Sequence, residues 1–329
     1  MKRSVLVVLA AVLGFAGCKT TQSIESGRGA AMSIAEKRQN VLEYIAQTQG
    51  KAIITGQQES TWMTSADYEV DYIEKTTGKL PALRGLDFMH DDFDGVVKRA
   101  QEWWQNGGLV TICWHTGAAF SGEWKDAMED EVENWDEWFI DGSEARKKMI
   151  AGMDKAASAL KKLEDAGVIV LWRPFHEMDG GWFWWGKGGS ENFIKLWRAM
   201  YERFTTHWGL SNLIWVQGFS HEGKAAAWYV GDEFCDIIGG DSYEKGANKE
   251  LYDEVKQASA TKPICFHECG TIPSEAELKE AGAKWAYFMT WHTDYITKSE
   301  NNDPARLKEI YNSDYFITRD ELPSFDERK

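Results

Sequence analysis

Two glutamates in this 329-residue sequence each end a short apolar run and each follow a histidine. The first run ends in His176 and Glu177, and the second ends in His267 and Glu268. Two opposed carboxyl groups suit glycoside hydrolysis, because one protonates the leaving oxygen while the other attacks the anomeric carbon or activates water. A single glutamate at a strand end is most simply explained by a salt bridge to the next strand. Two such glutamates, flanked by histidines and aromatic residues, favour a catalytic pair.

The histidines raise a second hypothesis, a metal-dependent hydrolase. Six of the seven lie at or just after the end of an apolar run: His90, His115, His176, His221, His267 and His292. However, the sequence contains neither an HExxH segment nor a CxxC pair, and the first run, at 52–58, has no His-x-His pair. We therefore predict no metal ion and no cofactor.

Eight short, mostly apolar runs alternate with amphipathic helical patterns. The runs are Ala52–Gln58, Ala82–Phe88, Leu109–His115, Val168–Glu177, Leu213–Phe219, Cys235–Tyr243, Pro263–Gly270 and Trp285–His292. Continuous apolar runs are typical of parallel strands that are buried on both faces. Eight of them between helices predict an α/β fold, a single (β/α)8 TIM barrel over residues 33–329. Active sites of such barrels lie at the carboxyl ends of the strands, so Glu177 and Glu268 should share one rim, on strands four and seven.

Local signals set the limits of several helices. The sequence predicts a helix over Ser33–Gln49, one over Glu144–Ala166 capped by Ser143, one over Glu191–Trp208 capped by Ser190, and a short one between Ser274 and Gly282. The long segment from Thr116 to Gly142 follows the third strand and should lie on the carboxyl-end face.

Seventeen tryptophans are an unusual number for this length. Five of them occupy helical patterns and are predicted to pack in the core: Trp103, Trp104, Trp197, Trp208 and Trp228. Seven others fall in loops after the first, third and fourth strands: Trp62, Trp124, Trp135, Trp138, Trp182, Trp184 and Trp185. Flat indole faces pack against the C–H faces of sugar rings, so the loop set predicts the wall of a sugar cleft. Trp184 and Trp185 are adjacent, so we expect one of them to pack inward.

The charge and the cysteines exclude other classes of protein. A formal charge of −15 would repel phosphate backbones and anionic lipids, which disfavours nucleic-acid binding and fits a neutral polysaccharide. Cys265 and Cys269 lie about 13 Å apart along a strand and cannot form a disulfide with each other. We expect these two cysteines, together with Cys113 and Cys235, to be buried free thiols.

The amino terminus resembles a bacterial lipoprotein leader. Lys2 and Arg3 precede an apolar run that is too short to span a bilayer, and small residues stand before Cys18. We predict a signal peptide at 1–17, lipidation of Cys18, and a flexible tether at 18–32. The protein would then be anchored in the bacterial cell envelope, periplasmic or on the outer surface, with membrane contact only through its lipid. An ordinary signal peptide cleaved nearby is the alternative.

The segment from Trp172 to Gly186 closely resembles the strand-four motif of glycoside hydrolase family 26, whose members are mostly endo-β-1,4-mannanases. The agreement in order and spacing extends over roughly residues 35–320. The resemblance implies a retaining enzyme that acts as a monomer, with Glu177 as the acid/base and Glu268 as the nucleophile.

The resemblance also implies roles for five further residues. His176 matches the histidine beside the acid/base that shapes the central sugar site, and Trp182 matches an aromatic residue on the leaving-group side. Tyr243 matches the tyrosine that hydrogen-bonds the nucleophile, and Trp291 matches the platform under the reacting sugar. His115 resembles a strand-three histidine near that sugar.

Three positions depart from the family pattern and leave the substrate open. Phe175 and Asp179 stand where leucine and asparagine are common, and His292 replaces an arginine that some members use to hold a distal sugar. The expected substrates are mannan, galactomannan and glucomannan, but β-1,3-xylan, mixed-linkage β-glucan and exo action on manno-oligosaccharides remain alternatives. A third class is a non-catalytic carbohydrate-binding lipoprotein, against which the intact glutamate pair argues.

Overall fold

A computed structural model describes residues 32–220 and 222–326, and in it eight parallel strands close into a barrel in sequence order. The strands are β1 (Gly56–Gln58), β2 (Leu83–Asp87), β3 (Leu109–Cys113), β4 (Val170–Arg173), β5 (Leu213–Phe219), β6 (Ile237–Ser242), β7 (Ile264–Cys269) and β8 (Phe288–Thr290). The predicted (β/α)8 barrel is confirmed, with every strand inside its predicted run. The predictions for the signal peptide, Cys18, the tether before residue 32 and His221 lie outside the described residues.

The first predicted run is divided between two sheets. Ile53–Ile54 pairs in parallel with Phe316–Ile317, whereas Gly56–Gln58 belongs to the barrel. Thr55 links the two sheets, because its hydroxyl donates to the Ile317 carbonyl at 2.8 Å and accepts from the Ala82 N–H at 3.0 Å. The carboxyl-terminal strand was not predicted, since two residues are too few to show a period.

Helices connect the strands. The α-helices span Ile34–Thr48, Tyr68–Thr77, Phe93–Gln105, Trp124–Glu129, Trp135–Phe139, Glu144–Asp165, Trp184–Lys187, Gly189–Glu202, Ala225–Trp228, Lys249–Lys256, Glu275–Ala281, Asp294–Thr297 and Pro304–Tyr311. A π-helical turn covers Arg203–His207, and 3-10 turns cover Met89–Asp91 and Arg319–Glu321. None of the described helices is long and apolar enough to cross a membrane.

Of the two predicted caps, Ser143 is confirmed, and Ser33 and Ser274 also cap the helices that follow them. The hydroxyls of Ser33, Ser143 and Ser274 each accept a hydrogen bond from the backbone three residues later. The prediction for Ser190 is wrong, because the helix already begins at Gly189, whose φ of +81° turns the chain into it. Ser190 therefore lies inside the first turn.

Successive side chains of each strand point to opposite faces of the sheet, and they form two separate apolar layers. Leu109 and Leu171 belong to the cluster inside the barrel, whereas Val110 and Trp172 belong to the cluster between strands and helices. The five helix tryptophans predicted to be core residues lie in the outer cluster or pack against it, and the four described cysteines are buried free thiols. At the carboxyl end of the barrel the inner layer becomes polar, beginning with Arg173, which is fully buried.

Candidate active site

The two glutamates meet above the centre of the barrel. Glu268 lies in β7 and Glu177 lies four residues after β4, and one carboxylate oxygen of each is within 4.8 Å of the other. Both line a cavity of about 800 Å³ at the carboxyl ends of the strands. Carboxyl groups about 5–5.5 Å apart are typical of retaining glycosidases, whereas inverting enzymes keep them about 6.5–9.5 Å apart. The observed separation therefore fits a retaining geometry.

Both carboxylate oxygens of Glu268 are held by hydrogen-bond donors. Arg173 Nη1 donates to Oε1 at 3.1 Å, and the Tyr243 hydroxyl donates to Oε2 at 2.5 Å. The nearest imidazole nitrogen, His176 Nε2, stands 3.6 Å from Oε1. Charge-assisted hydrogen bonds of this kind are short and directional, so the carboxylate is fixed in orientation toward the cavity.

Glu177 occupies a different environment. Its φ of +53° lies in the left-handed region, and its N–H is fixed by the Gly218 carbonyl at 2.8 Å. The carboxylate accepts one side-chain hydrogen bond, from Trp182 Nε1 at 2.9 Å. Burial, together with the charge of Glu268, raises the pKa of Glu177 to about 7. Glu177 therefore retains its proton at mildly acidic pH and can act as an acid.

Arg173 connects Glu268 to a third carboxylate that the sequence analysis missed. Its Nη2 donates to Asp241 and also to the His267 carbonyl, the latter at 2.7 Å. Burial raises the pKa of Asp241, and Arg173 opposes that shift only in part. Asp241 stands two residues before Tyr243, near the end of a predicted strand, and this position was the available signal.

Two clusters of side chains have the spacing of metal ligands, but their chemistry does not favour a metal ion. In the first, formed by Glu177, Asp241 and Glu268, the Arg173 guanidinium already binds two of the three carboxylates. In the second, formed by Asp87, Cys113 and His115, burial raises the pKa of the thiol well above its usual value. A protonated thiol is a poor ligand.

Two predicted histidines face the cavity, and their pKa values are shifted in opposite directions. His115 Nδ1 lies 2.5 Å from Asp87 Oδ2, and the backbone N–H of His115 donates to Asp87 Oδ1 at 3.0 Å. Burial lowers the pKa of His115, but the Asp87 carboxylate outweighs this effect and the net shift is upward. For His176, burial and the Arg173 charge both lower the pKa, which leaves a neutral ring. Asp87 ends the second strand and was not singled out from the sequence.

The aromatic residues predicted from the family pattern also face the cavity. Trp182 lies beyond β4, and Tyr243 directly follows β6. Trp291 directly follows β8 and is held by its backbone, since its N–H donates to the Cys269 carbonyl at 2.9 Å and its own carbonyl accepts from Gln57 Nε2 at 3.0 Å. The cavity thus brings together all seven predicted site residues: His115, His176, Glu177, Trp182, Tyr243, Glu268 and Trp291.

The prediction for the remaining loop tryptophans is only partly right. Trp184 and Trp185 are both fully buried. The indole N–H of Trp184 donates to the Thr116 carbonyl at 2.7 Å, and that of Trp185 donates to the His176 carbonyl at 2.8 Å. Trp135 and Trp138 pack on Trp184, with ring centroids 6.1 and 5.4 Å away. These four residues support the loops. Trp62 and Trp124 do line the cavity.

The fold and the site define a class: a (β/α)8 barrel with paired glutamates at the ends of β4 and β7 has the architecture of a barrel glycosidase. The comparison with family models is more specific. Residues 32–321 match the model of glycosyl hydrolase family 26, and the chain belongs to that family.

Three of the proteins that this chain resembles are named as mannanases or as a GH26 protein. A mannan endo-1,4-β-mannosidase of Thermothelomyces thermophilus is 33% identical over 85% of this chain and 60% of its own length. GH26A from a Muricauda species superposes with a TM-score of 0.80 at 32% identity, covering 90% of this chain and 99% of the other. A β-mannanase from a symbiotic protist of the termite Reticulitermes speratus, complexed with gluco-manno-oligosaccharide, superposes with a TM-score of 0.78 at 30% identity, covering 87% and 94%.

This chain is shorter than the first curated relatives. It spans 60% of the Thermothelomyces protein, and 46% and 43% of two Piromyces mannosidases.

Proposed function

We propose that this protein is a retaining endo-β-1,4-mannanase that hydrolyses mannan, galactomannan or glucomannan. The observation that carries the proposal is the asymmetry of two glutamates whose carboxylates approach within 4.8 Å. One is held by an arginine and a tyrosine, while the pKa of the other is raised to about 7 by burial and by its neighbour. The matched relatives named mannan endo-1,4-β-mannosidases support the substrate class.

The reaction divides into two displacements. In the first, a Glu268 oxygen bonds to the anomeric carbon while the bond to the leaving oxygen breaks, and Glu177 gives that oxygen its proton. In the second, Glu177 takes a proton from water, the water oxygen attacks the anomeric carbon, and the bond to Glu268 breaks. Configuration is inverted twice and so retained, and both glutamates return to their starting protonation states.

Other side chains position the sugars. Strands four and eight stand opposite each other in an eight-stranded barrel, so Trp182 and Trp291 flank the scissile bond from opposite sides. We assign Trp182 to the leaving-group side, because it also donates to Glu177. Trp291 serves as the platform for the reacting sugar. His115 and His176 offer hydrogen bonds to its hydroxyl groups.

The proposal is tested with a panel of polysaccharides: linear mannan, galactomannan, glucomannan, β-1,3-xylan and mixed-linkage β-glucan. We expect mannans to lose viscosity quickly and to yield fragments of several lengths, as internal cleavage requires. Release of a single short product would indicate exo action, and preference for a xylan or glucan would change the substrate. Binding without turnover by the wild type would leave only the carbohydrate-binding alternative.

The cellular placement remains a proposal drawn from the sequence. We propose that Cys18 is lipidated and anchors the enzyme in the bacterial cell envelope. A Cys18→Ala variant should leave the membrane fraction and lose the mass of the lipid. An unchanged distribution would favour an ordinary signal peptide. We also propose that the protein acts as a monomer, as the family resemblance implies, and light scattering on the purified enzyme tests this.

A further inference from the structure

Asp87 holds both the ring and the backbone of His115 with a single carboxylate. It is the last residue of β2 and lines the cavity, while His115 stands two residues after the end of the neighbouring β3. Its Oδ1 accepts from the backbone N–H of His115 at 3.0 Å and from that of Met89 at 2.9 Å, and its Oδ2 lies 2.5 Å from His115 Nδ1. Both oxygens are therefore engaged, and the carboxylate cannot turn without losing one of these contacts.

The ionisation of Asp87 decides which nitrogen of His115 carries a hydrogen. Burial raises the pKa of Asp87, but the charge of His115 and the hydrogen bonds from His115 and Met89 outweigh burial, and the net shift is downward. An ionised carboxylate has no hydrogen to give and can only accept. Nδ1 of His115 therefore carries a hydrogen and donates it to Asp87 Oδ2, whether the ring is neutral or charged.

Neighbouring rings fix the plane of the His115 imidazole. It stands perpendicular to the ring of His176, with centroids 4.6 Å apart, and the ring of Phe183 lies 5.5 Å away. Among the described residues, His115 Nε2 has no hydrogen-bond partner. With Nδ1 bound to Asp87 and the ring held by its neighbours, Nε2 is the nitrogen that remains for a ligand in the cavity.

The ring of His115 lies close to the reacting groups. The charges of Glu268 and Glu177 both interact with it. The ring of Trp291, the proposed platform under the reacting sugar, is 6.1 Å away. A sugar on that platform would therefore present its hydroxyl groups to His115 Nε2.

We infer that Asp87 is a positioning residue for turnover, which fixes the tautomer and the orientation of His115 so that Nε2 is presented to a hydroxyl group of the reacting sugar. The inference rests on the proposed glycosidase function. A carboxylate that binds one ring nitrogen determines whether the other can donate or accept, and it keeps the ring from rotating. Asp87 thus affects the rate through His115.

The backbone contacts of Asp87 make asparagine an informative substitution. The N–H groups of His115 and Met89 are both donors, so in Asp87→Asn they keep the amide oxygen at the position of Oδ1. The amide NH2 then takes the position of Oδ2 and donates to His115 Nδ1. Because Nδ1 accepts that hydrogen bond, the ring hydrogen moves to Nε2. The substitution reverses the tautomer while the backbone contacts and the side-chain volume are kept.

Heteronuclear NMR of enzyme with isotope-labelled histidine rings shows the tautomer directly. The signals of His115 are identified by their absence from His115→Ala. We expect a hydrogen on Nδ1 in the wild type, and in Asp87→Asn a bare Nδ1 with the hydrogen on Nε2. Asp94→Asn, at an exposed aspartate in the helix after β2, is the matched control and should leave the His115 signals unchanged. Identical His115 signals in Asp87→Asn and the wild type would overturn the inference.

Kinetics show whether this tautomer serves turnover. We expect Asp87→Asn to lower kcat/KM roughly tenfold on dinitrophenyl β-mannoside and on dinitrophenyl β-mannobioside alike, because both place a sugar beside His115 and one hydrogen bond of the transition state is lost. In the His115→Ala background the same substitution should cost less than about twofold, since no ring is left to position. Asp94→Asn should keep wild-type kinetics.

The outcomes separate this inference from the proposed function. An equal loss from Asp87→Asn with and without His115 would show that Asp87 does not act through the ring, and would overturn the inference. If Asp87→Asn does not fold, the wild-type spectrum decides, because a hydrogen on Nδ1 supports the assignment and a bare Nδ1 contradicts it. If the wild type cleaves neither substrate, the proposed function fails, and the NMR comparison then decides by itself whether Asp87 positions His115.

Discussion

At the scale of single residues, the proposed chemistry depends on two glutamates that lie in different environments. Arg173 and Tyr243 donate to Glu268, whereas Glu177 receives one indole N–H and lies close to the Glu268 charge. The positions of both glutamates follow from the strand ends in the sequence. Their environments do not, because these depend on burial and on groups from β4, β7 and the end of β6 that only the closed barrel brings together.

The hydroxyl of Tyr243 offers a direct test of how Glu268 is held. Tyr243→Phe removes the donor that lies 2.5 Å from the carboxylate and leaves the ring in place. A hydrogen bond to a charged group contributes about 1.5–3 kcal/mol, so kcat/KM on dinitrophenyl β-mannobioside should fall roughly 10- to 150-fold. Tyr295→Phe is the control, since Tyr295 packs on Tyr243 at 4.8 Å. A loss within twofold for Tyr243→Phe would show that the contact has no role in turnover.

We expect loss of the Glu177 proton to limit activity at high pH. Because burial and the Glu268 charge raise the pKa of Glu177 to about 7, kcat/KM should decline above that pH as the proton is lost. The Trp182 N–H stabilises the ionised form and so lowers this pKa. Trp182→Phe should therefore move the alkaline limb of the profile to higher pH. Trp124→Phe, in the same cavity, should leave the limb in place, and a limb that moved downward in Trp182→Phe would contradict the assignment.

At the scale of elements, loops above the barrel are held by buried aromatic residues. Trp184 belongs to the segment that follows Glu177, and its indole donates to the Thr116 carbonyl beyond β3. Trp135 and Trp138 cover it. The sequence analysis assigned these residues to the cleft wall because loop tryptophans look alike in sequence. Their burial depends on how two loops pack against each other, and this packing leaves no periodic pattern in the sequence. The cap at Ser143, in contrast, acts within four residues and was predicted.

The contribution of Trp184 to folding can be measured as a change in the free energy of unfolding. Trp184→Phe leaves the Thr116 carbonyl without its donor in a buried site, which costs about 1–3 kcal/mol of unfolding free energy. Urea denaturation monitored by circular dichroism gives that value. Trp62→Phe, at a half-exposed indole, should change stability by less than about 0.5 kcal/mol. Equal effects of the two substitutions would show that Trp184 is not a structural anchor.

At the scale of the whole molecule, the acidic charge fits an uncharged substrate. The net charge of −15 exerts no long-range attraction on a neutral polysaccharide. We expect kcat/KM on linear mannan to change less than twofold between about 0.02 and 0.5 M sodium chloride, although the Debye length shrinks severalfold over that range. A steep dependence on salt would indicate that a charged partner takes part in binding.

The barrel itself was the most predictable feature of the molecule. Eight apolar runs alternating with helices allow few other architectures, and each run contains one barrel strand. The pair Ile53–Ile54 with Phe316–Ile317 was not foreseen, because it joins residues more than 250 positions apart through two short segments.

The central claim is that Glu268 forms a covalent bond to the sugar. The most direct measurement is peptide mass spectrometry of enzyme inactivated with a dinitrophenyl 2-deoxy-2-fluoro-β-mannobioside, which slows breakdown of the intermediate. The proposed mechanism predicts one fluoroglycosyl group per chain, on the peptide that contains Glu268, and no labelling of Glu268→Gln. A label on Glu177, or an unlabelled enzyme that releases the inverted anomer from its natural substrate, would contradict it.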